Sequence, residues 1–324
     1  MNINPIKNNY SFKGYDALPL KAIHIQDRVA DSFFWELEEI GKKEDFEVRY
    51  SRDIIKWTQD HKTIIEKKGQ PFMLASYRSG DSFFEDLRKK YNISGRNSAN
   101  YVTGGNCFIG KNHRGEKWML VGREEFLTET ERKEVGKEYG IKPKNIIEIP
   151  QHDFHLDMFM RPIGYPFILV NNPKLVKEKL RELNTNGEFD DLEKAHKEYE
   201  KERAQEYEEQ KKVITKLKKM GFYPIEIAGV YGSGINFMNA IVNQHPNGSI
   251  SYITNGTDSL DGRTKIFQDI FEQDLKELTV GIDKVYFVNG VVNKDDNFLM
   301  KQIKHAHGGL HCMSAEEPNF DMWV

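Results

Sequence analysis

The sequence predicts an α/β protein built from one kind of unit repeated along the chain. Short apolar runs typical of strands alternate with segments whose apolar residues recur at helical spacing, over all 324 residues. Polar or reactive side chains stand at the ends of several predicted strands, near positions 60, 106, 155, 236 and 312. Such regular placement indicates a repeated α/β unit.

Twelve runs have the length and composition of strands. They lie at 21–25, 46–50, 71–76, 101–110, 118–121, 146–149, 155–160, 166–170, 223–230, 235–242, 249–254 and 284–291. The run at 101–110 contains Gly104 and Gly105 in its interior. Because a strand interior tolerates glycine poorly, this pair predicts a bulge or a close approach of another backbone.

Helices are predicted between these strands, at 31–40, 82–90, 128–139 and 265–278. Asp31 is the expected cap of the first of these helices. The third begins with Thr128 and Glu131 at capping-box spacing, and Gly140 follows it where a C-terminal glycine cap stands.

Residues 173–219 differ in composition, since Lys, Glu and Arg dominate them. Leu180 and Leu217 belong to a thin apolar stripe, and Asn184 to Gly187 interrupt the helical pattern. The segment therefore predicts two helices, the second of them long, that form a solvated hairpin on the surface.

Bulk composition limits the classes of function. The chain is 38% hydrophobic and 30% charged, with a net charge of -3, so a soluble globular protein is predicted and a nucleic-acid binder is not. We expect no signal peptide and no membrane span. Two cysteines, Cys107 and Cys312, suggest no disulfide framework, which favours a cytoplasmic location.

Cys312 is the candidate nucleophile, because Gly308 and Gly309 allow the backbone to turn the sulfur into a cleft. The alternative is a small buried apolar residue, which we prefer for Cys107. His155 and Asp157 alternate on a predicted strand and so should face the same way. A histidine moves protons near neutral pH, and a carboxylate binds a cation.

Other polar residues are weaker candidates. Asp60, which follows Trp57, is a second candidate acid, and Asn106 and Asn236 are neutral hydrogen-bonding groups near glycines. An exposed turn residue is the alternative for each of them. His152 and Asp153 do not complete a metal-ligand set with His155, so no metal and no cofactor are expected.

Taken together, four separated motifs resemble those of the pentein, or guanidino-group-modifying, superfamily, in its agmatine deiminase and bacterial peptidylarginine deiminase branch. Residues 57–60 look like its Trp-x-Arg-Asp motif, and residues 103–106 look like its Gly-Gly-Asn strand. Residues 155–159 look like its His-x-Asp motif, and residues 308–312 look like its Gly-Gly-x-His-Cys motif. The segment 234–237 is similar to the Asn-Phe strand that precedes the nucleophile. The match covers about residues 45 to 320, except for the 173–219 insertion.

The resemblance implies one catalytic domain over residues 1–324, with five α/β modules around a pseudo-fivefold axis and the active site at its centre. It implies that Cys312 attacks a guanidinium carbon, and that His155 acts as general acid and then as general base. Asp60 and Asp157 would hold the guanidinium N–H groups. Substrate-binding roles are implied for the residues Asn236, Asn106 and Trp57.

The chain departs from the family at the first acid. Gln59 replaces the arginine of the motif, and His61-Lys62 replaces the Gly-Pro that follows the aspartate. Asp53 and Asp81 are therefore alternative candidates for this acid.

Several functions follow from the resemblance. We prefer deimination of arginine in a peptide or protein, since Thr103 rather than an acid precedes the glycine pair. Agmatine deimination is the near alternative. An amidinotransferase would keep the covalent intermediate and pass the amidino group to an amine. A degenerate, non-catalytic binding module would use the 173–219 hairpin as its contact surface.

Overall fold

A computed structural model describes residues 18–51, 57–76, 81–125, 127–151, 153–202, 204–232, 234–257, 262–293, 296–306 and 308–320. The strands are β1 (Leu20–Gln26), β2 (Glu47–Ser51), β3 (Lys62–Lys67), β4 (Gln70–Ala75), β5 (Ser94–Asn97), β6 (Cys107–Lys111), β7 (Lys117–Gly122), β8 (Ile146–Ile149), β9 (Met160–Gly164), β10 (Phe167–Asn171), β11 (Tyr223–Ile227), β12 (Val230–Gly232), β13 (Ile235–Asn236), β14 (Ile241–Gln244), β15 (Ile250–Asn255), β16 (Ile282–Val288), β17 (Val291–Asn293), β18 (Asp296–Asn297) and β19 (Ser314–Pro318). The helices are α1 (Asp31–Glu44), α2 (Thr58–His61), α3 (Asp81–Tyr91), α4 (Glu129–Tyr139), α5 (Pro173–Leu183), α6 (Asp190–Glu202), α7 (Ala204–Lys219), α8 (Gly262–Glu277) and α9 (Phe298–Ala306).

Five three-stranded sheets of the described chain share one pattern. In each, the central strand pairs antiparallel with one neighbour and parallel with the other. Their strand orders are β19-β1-β2, β3-β4-β5, β6-β7-β8, β9-β10-β11 and β14-β15-β16. The parallel pair always encloses a helical connection, as a parallel crossover requires. These are the repeated α/β units that the sequence predicts; their placement about a fivefold axis stays a prediction.

The first sheet joins the two ends of the described chain. β19 pairs with β1 along its length, from Leu20 opposite Pro318 to Ile25 opposite Ser314. This pairing closes the first unit and fixes the turn that immediately precedes β19. Cys312 lies in that turn, so its position depends on a contact between residues about 290 apart in sequence.

Central strands of the sheets supply much of the apolar core. Met73 and Leu74 of β4 are fully buried, as are Leu120 of β7 and Leu169 of β10. The helices cover these strands with their apolar faces, as Phe33 of α1 does. Burial of this kind stabilises the fold by roughly 25 cal/mol per Å² of apolar surface.

The predicted helix ends are confirmed in one case and wrong in another. Thr128 and Glu131 form a complete capping box, and Gly140 adopts the left-handed conformation at φ 66° after α4. Asp31, however, does not cap α1. Ala30 precedes that helix, and Asp31 lies in its first turn, where its charge favours the helix dipole.

Three predicted strands are interrupted by turns. Residues 104–106 form a 3-10 turn before β6, and residues 156–158 form another before β9. The predicted strand at 235–242 is divided into β13 and β14 by residues 237–240. Each interruption carries a polar side chain, namely Asn106, Asp157 and Asn239.

Residues 173–219 form the helical connection between β10 and β11, with α5 as the first helix and α6 and α7 following the predicted break. Residue 203, between α6 and α7, lies outside the described residues. Four apolar side chains of the segment are fully buried, namely Val176, Leu180, Val213 and Leu217. The segment therefore packs on the core and takes the place of the single helix seen in the other units. Over the described part of the chain, no helix combines the length and apolar character that a bilayer crossing needs.

Candidate active site

Four turns from different parts of the chain bring the predicted reactive groups together. Asp60 lies on the short helix α2, and Asp157 on the 3-10 turn before β9. The side-chain ligand atoms of His155, Asp157 and Cys312 all lie within 4.8 Å of one another. The candidate nucleophile and the candidate acid–base residue therefore meet, although 157 positions separate them in sequence.

Gly105 lies at the centre of this group. A Cβ atom at this position would stand 2.6 Å from His155 Nδ1 and 3.2 Å from both Asp157 Oδ2 and Asp60 Oδ1. The predicted strand at 155–160 is wrong, because His155 is extended and Asp157 already belongs to the turn. The two side chains nevertheless converge on one point, because the glycine leaves room for both.

Cys312 is buried, with 2% of its surface exposed, and three polar groups fix it. Its thiol lies 3.2 Å from Asp157 Oδ2 and accepts a hydrogen bond from Asn239 Nδ2 at 3.1 Å. Its carbonyl oxygen accepts a hydrogen bond from the Gln59 amide at 3.0 Å. Burial raises the pKa of the Cys312 thiol well above its usual range, and the Asp157 and Asp60 carboxylates raise it further. Both effects favour the protonated form of the thiol.

Asn239 is the residue that sequence reasoning missed. Its Oδ1 accepts a hydrogen bond from the His311 amide at 2.9 Å, so one side chain holds both the sulfur and the backbone of the cysteine turn. Asn236 stands behind it. Asn236 Nδ2 donates to the Met158 carbonyl, and its Oδ1 accepts from the amides of Met238 and Asn239. The only sequence signal was the recurrence of asparagine within residues 236–239.

The two carboxylates differ in their surroundings. Asp157 is fully buried; burial alone would raise its pKa, but the hydrogen bond and charge of His311 lower it overall. Asp60 has a side chain that is 20% exposed, and its Oδ1 lies 3.6 Å from His155 Nδ1. Burial raises the pKa of Asp60 to about 6, against the opposing charge of His155 and with the added repulsion of Asp157.

The sequence left two alternative candidates for the first acid, Asp53 and Asp81. Asp53 lies outside the described residues, and Asp81 is the first residue of α3. Asp60 does lie beside Asp157, since both carboxylates face the Gly105 position. Gln59, where the motif has arginine, uses its backbone to bind Cys312 and Tyr101.

Phe154 stands at the exposed edge of the group. Its ring stacks on His155, with 3.9 Å between centroids and 28° between planes, and 52% of its surface is exposed. Gln151 Nε2 holds this segment by donating to the carbonyl oxygens of Asp153 and Phe154. One face of the candidate proton donor is therefore covered by an aromatic side chain that also faces solvent.

Solved structures resemble this arrangement of elements over nearly the whole chain. C. jejuni agmatine deiminase is 15% identical, with 95% of this chain and 96% of that chain covered and a TM-score of 0.57. An agmatine deiminase of Enterococcus faecalis is 10% identical, with 94% of each chain covered and a TM-score of 0.55. An amidinotransferase from Microseira wollei in the saxitoxin biosynthetic pathway is 10% identical, with 96% and 97% covered and a TM-score of 0.53. The chain has a pentein-type α/β fold.

At these identities the likeness shows the fold alone. No protein-family model matches the sequence, and no curated protein matches it.

Two further predicted residues lie next to the turns of the site, Trp57 before α2 and Asn106 after Gly105. The Trp57 ring packs against Gly308, where a Cβ would lie 2.6 Å from the indole, so Trp57 forms a wall for the cysteine turn. Asn106 is buried beside Gly122 and Gln151. Neither position contradicts the predicted substrate-binding role, which stays a prediction.

His155, Asp157 and Cys312 are also residue types that bind zinc. Asp157 Oδ2, however, already accepts hydrogen bonds from His311 and from the thiol, and the sulfur accepts one from Asn239. These contacts suit a protonated thiol and a carboxylate.

Proposed function

We propose that this chain is a cysteine-dependent hydrolase that converts an arginine-like guanidinium group to a ureido group and ammonia. One observation carries the proposal: an imidazole and two carboxylates converge on Gly105, and the Cys312 thiol lies within 4.8 Å of the ligand atoms of His155 and Asp157. We further propose that the five units surround a common axis and form one catalytic domain, with this group at its centre.

The two carboxylates would bind the substrate cation. Asp60 Oδ1 and Asp157 Oδ1 are buried, and within the described structure neither has a hydrogen-bond partner. Buried oxygens that accept no hydrogen bond are costly, and a planar guanidinium with several N–H donors would satisfy both of them. Their charge also keeps the bound guanidinium protonated and its carbon electrophilic.

Substrate binding would activate the thiol. The negative charges of Asp157 and Asp60 raise the pKa of Cys312, and a bound guanidinium would neutralise both of them. The Cys312 proton passes to His155, whose ligand atom lies within 4.8 Å of the sulfur, and the thiolate attacks the guanidinium carbon to form a carbon–sulfur bond in a tetrahedral adduct. His155 donates a proton to the departing nitrogen, so that ammonia leaves and a thiouronium group stays on Cys312.

Water completes the reaction. His155, now neutral, removes a proton from the water molecule, and the hydroxide attacks the thiouronium carbon. Collapse of this second adduct breaks the carbon–sulfur bond. The ureido product leaves, and Cys312 is regenerated as it regains a proton.

The proposed substrate is arginine within a peptide or protein. Thr103 precedes the glycine pair, so the position carries no acid for the distal amine of agmatine. Agmatine is the second candidate, because two of the similar structures are agmatine deiminases. Ammonia release is to be measured with an arginine peptide, free arginine and agmatine. The proposal requires release from at least one, with the peptide fastest; no release from any guanidine would overturn it.

An added amine tests the transferase alternative. Mass spectrometry of the products with an arginine peptide and a primary amine should show citrulline and no amidinated amine. Transfer of the amidino group would instead make the chain an amidinotransferase, the activity named for one structure of this fold.

We expect kcat/KM to rise with pH through about 6. The pKa of Asp60 is raised to about 6, so below that pH the carboxyl is neutral and cannot pair with the guanidinium. Below about pH 6, kcat/KM should fall by nearly tenfold for each pH unit. Asp60→Asn should lower kcat/KM about 10- to 100-fold at pH 8 and remove this acidic limb. A wild-type profile that stays flat between pH 5 and 7 would count against Asp60.

Gly105→Ala tests the convergence on Gly105. The new Cβ would lie 2.6 Å from His155 Nδ1, so the imidazole or the carboxylates must move. A displacement of about 1 Å costs roughly 100-fold in rate, and we expect a loss of at least that size. Gly41→Ala is the matched control. Gly41 lies in α1, and a Cβ at this position would stand 2.6 Å from Phe46 O, the same distance as the new contact at Gly105. It should lower the Tm and spare the activity; equal losses of activity in both variants would refute the assignment.

A further inference from the structure

His311 has no role in the steps above, yet it is the residue most closely bound to Asp157. Its Nδ1 lies 2.7 Å from Asp157 Oδ2, the same oxygen that the Cys312 thiol approaches at 3.2 Å. The side chain of His311 is 1% exposed and that of Asp157 is fully buried. One carboxylate oxygen therefore joins the imidazole to the thiol.

The rest of the imidazole lies among charged and aromatic groups. His311 Nε2 lies 4.0 Å from Glu316 Oε2, and Glu316 Oε1 accepts a hydrogen bond from Arg161 Nη2 at 2.7 Å. The Phe108 ring lies 6.0 Å from the imidazole and 5.4 Å from the Arg161 guanidinium. Asn239 fixes the His311 backbone. The ring thus stands between two carboxylates, and a fully buried arginine neutralises the outer one.

We propose that His311 is a positioning residue, whose Nδ1–H group holds Asp157 Oδ2 beside the thiol and leaves Asp157 Oδ1 free for the guanidinium. This inference rests on the proposed function. The unpartnered state of Asp157 Oδ1 supports it, because a carboxylate held at one oxygen presents the other in a fixed direction. Burial alone would favour the neutral acid at Asp157, and the His311 contact opposes that tendency and lowers the pKa.

Two substitutions at position 311 test the roles of the two ring nitrogens separately. In His311→Asn the side-chain amide stands where Nδ1 was and can still donate to Asp157. In His311→Gln the amide reaches the Nε2 position toward Glu316 and loses Asp157. We expect the Gln variant to lose at least about 100-fold in kcat/KM, with KM raised and kcat lowered, since Asp157 serves both binding and attack. The Asn variant should lose markedly less.

Thermal unfolding of both variants shows whether this difference is one of stability. If the role of His311 is purely structural, the loss of activity in each variant should correlate with its loss of Tm. It should not depend on where the new side-chain amide lies. The proposal is supported if the kcat/KM of His311→Asn is at least about tenfold higher than that of His311→Gln while the two variants have similar Tm values. It is overturned if the two variants are equally impaired, or if Gln retains more activity.

Alkylation of Cys312 by iodoacetamide tests the inference without turnover. The Asp157 carboxylate raises the thiol pKa, so a variant in which Asp157 moves or becomes neutral should react faster. Peptide mass spectrometry separates residue 312 from Cys107. His311→Gln should be alkylated several-fold faster than wild type and His311→Asn, and equal rates in all three would overturn the proposal. Absence of turnover by the wild type would reject the proposed function but leave this measurement valid.

Discussion

Cys312→Ala is expected to reduce guanidine hydrolysis by about 10⁴-fold or more, because the variant has no atom that can form the covalent intermediate. The substitution removes one buried sulfur atom and leaves the backbone contacts of the turn, such as Gln59 to the residue 312 carbonyl, unchanged. The variant should therefore fold and still bind the substrate. Ammonia release and isothermal titration with the best substrate measure the two effects separately.

Cys107→Ala is the matched control for this prediction. Cys107 is also buried, at 4% exposure, and it packs in an apolar cluster with Met119 and Val121. The same change of sulfur for hydrogen at this site should lower stability by about 1 kcal/mol and leave kcat intact. Retention of more than about 1% of the activity by Cys312→Ala would remove the cysteine from the mechanism.

Asp157→Asn should produce two effects of opposite direction. Hydrolysis should fall by about 10³-fold, because the amide carries no charge to hold the guanidinium and presents an N–H group to it. Alkylation of Cys312 should become faster, because the carboxylate that raises the thiol pKa is gone. Initial rates of ammonia release and of iodoacetamide incorporation measure the two effects on the same preparation.

Opposite changes in the rates of hydrolysis and alkylation distinguish a loss of charge at Asp157 from general damage to the site. A misfolded or collapsed site would slow both reactions or expose both cysteines. Asp153→Asn serves as the control, since the amide oxygen can still accept the hydrogen bond from the Phe154 amide. It should leave both rates close to those of the wild type. Slower alkylation in Asp157→Asn would show that Asp157 activates the thiol and does not restrain it.

Local sequence patterns were sufficient to predict the elements that are stabilised by contacts between residues close in sequence. The capping box of Thr128 and Glu131 depends on residues three apart, and its prediction is confirmed. The alternation of strands and helices was likewise visible in the pattern of apolar residues. The pattern of apolar residues did not show the number of repeated units. The first unit is completed only when β19 pairs with β1, which lies near the opposite end of the described chain.

Turns at the site were predicted less well, because distant contacts determine them. Gly105 is part of a 3-10 turn and not of a strand, since His155, Asp157 and Asp60 approach its backbone. Asn239 was missed because the apolar run 235–242 looks like one strand, whereas its hydrogen bonds to the cysteine turn need a break. The separated motifs predicted residues that the structure brings together, but not the groups that hold them.

The central claim is that a guanidinium lies between Asp60 and Asp157 with its carbon facing the sulfur of Cys312. A crystal structure of Cys312→Ala with the best substrate tests this claim most directly. The account predicts that both carboxylates lie within about 3 Å of guanidinium nitrogens and that the methyl group introduced at position 312 points at the central carbon. A guanidinium bound elsewhere, with Asp60 and Asp157 still facing an empty cleft at saturating substrate, would contradict it.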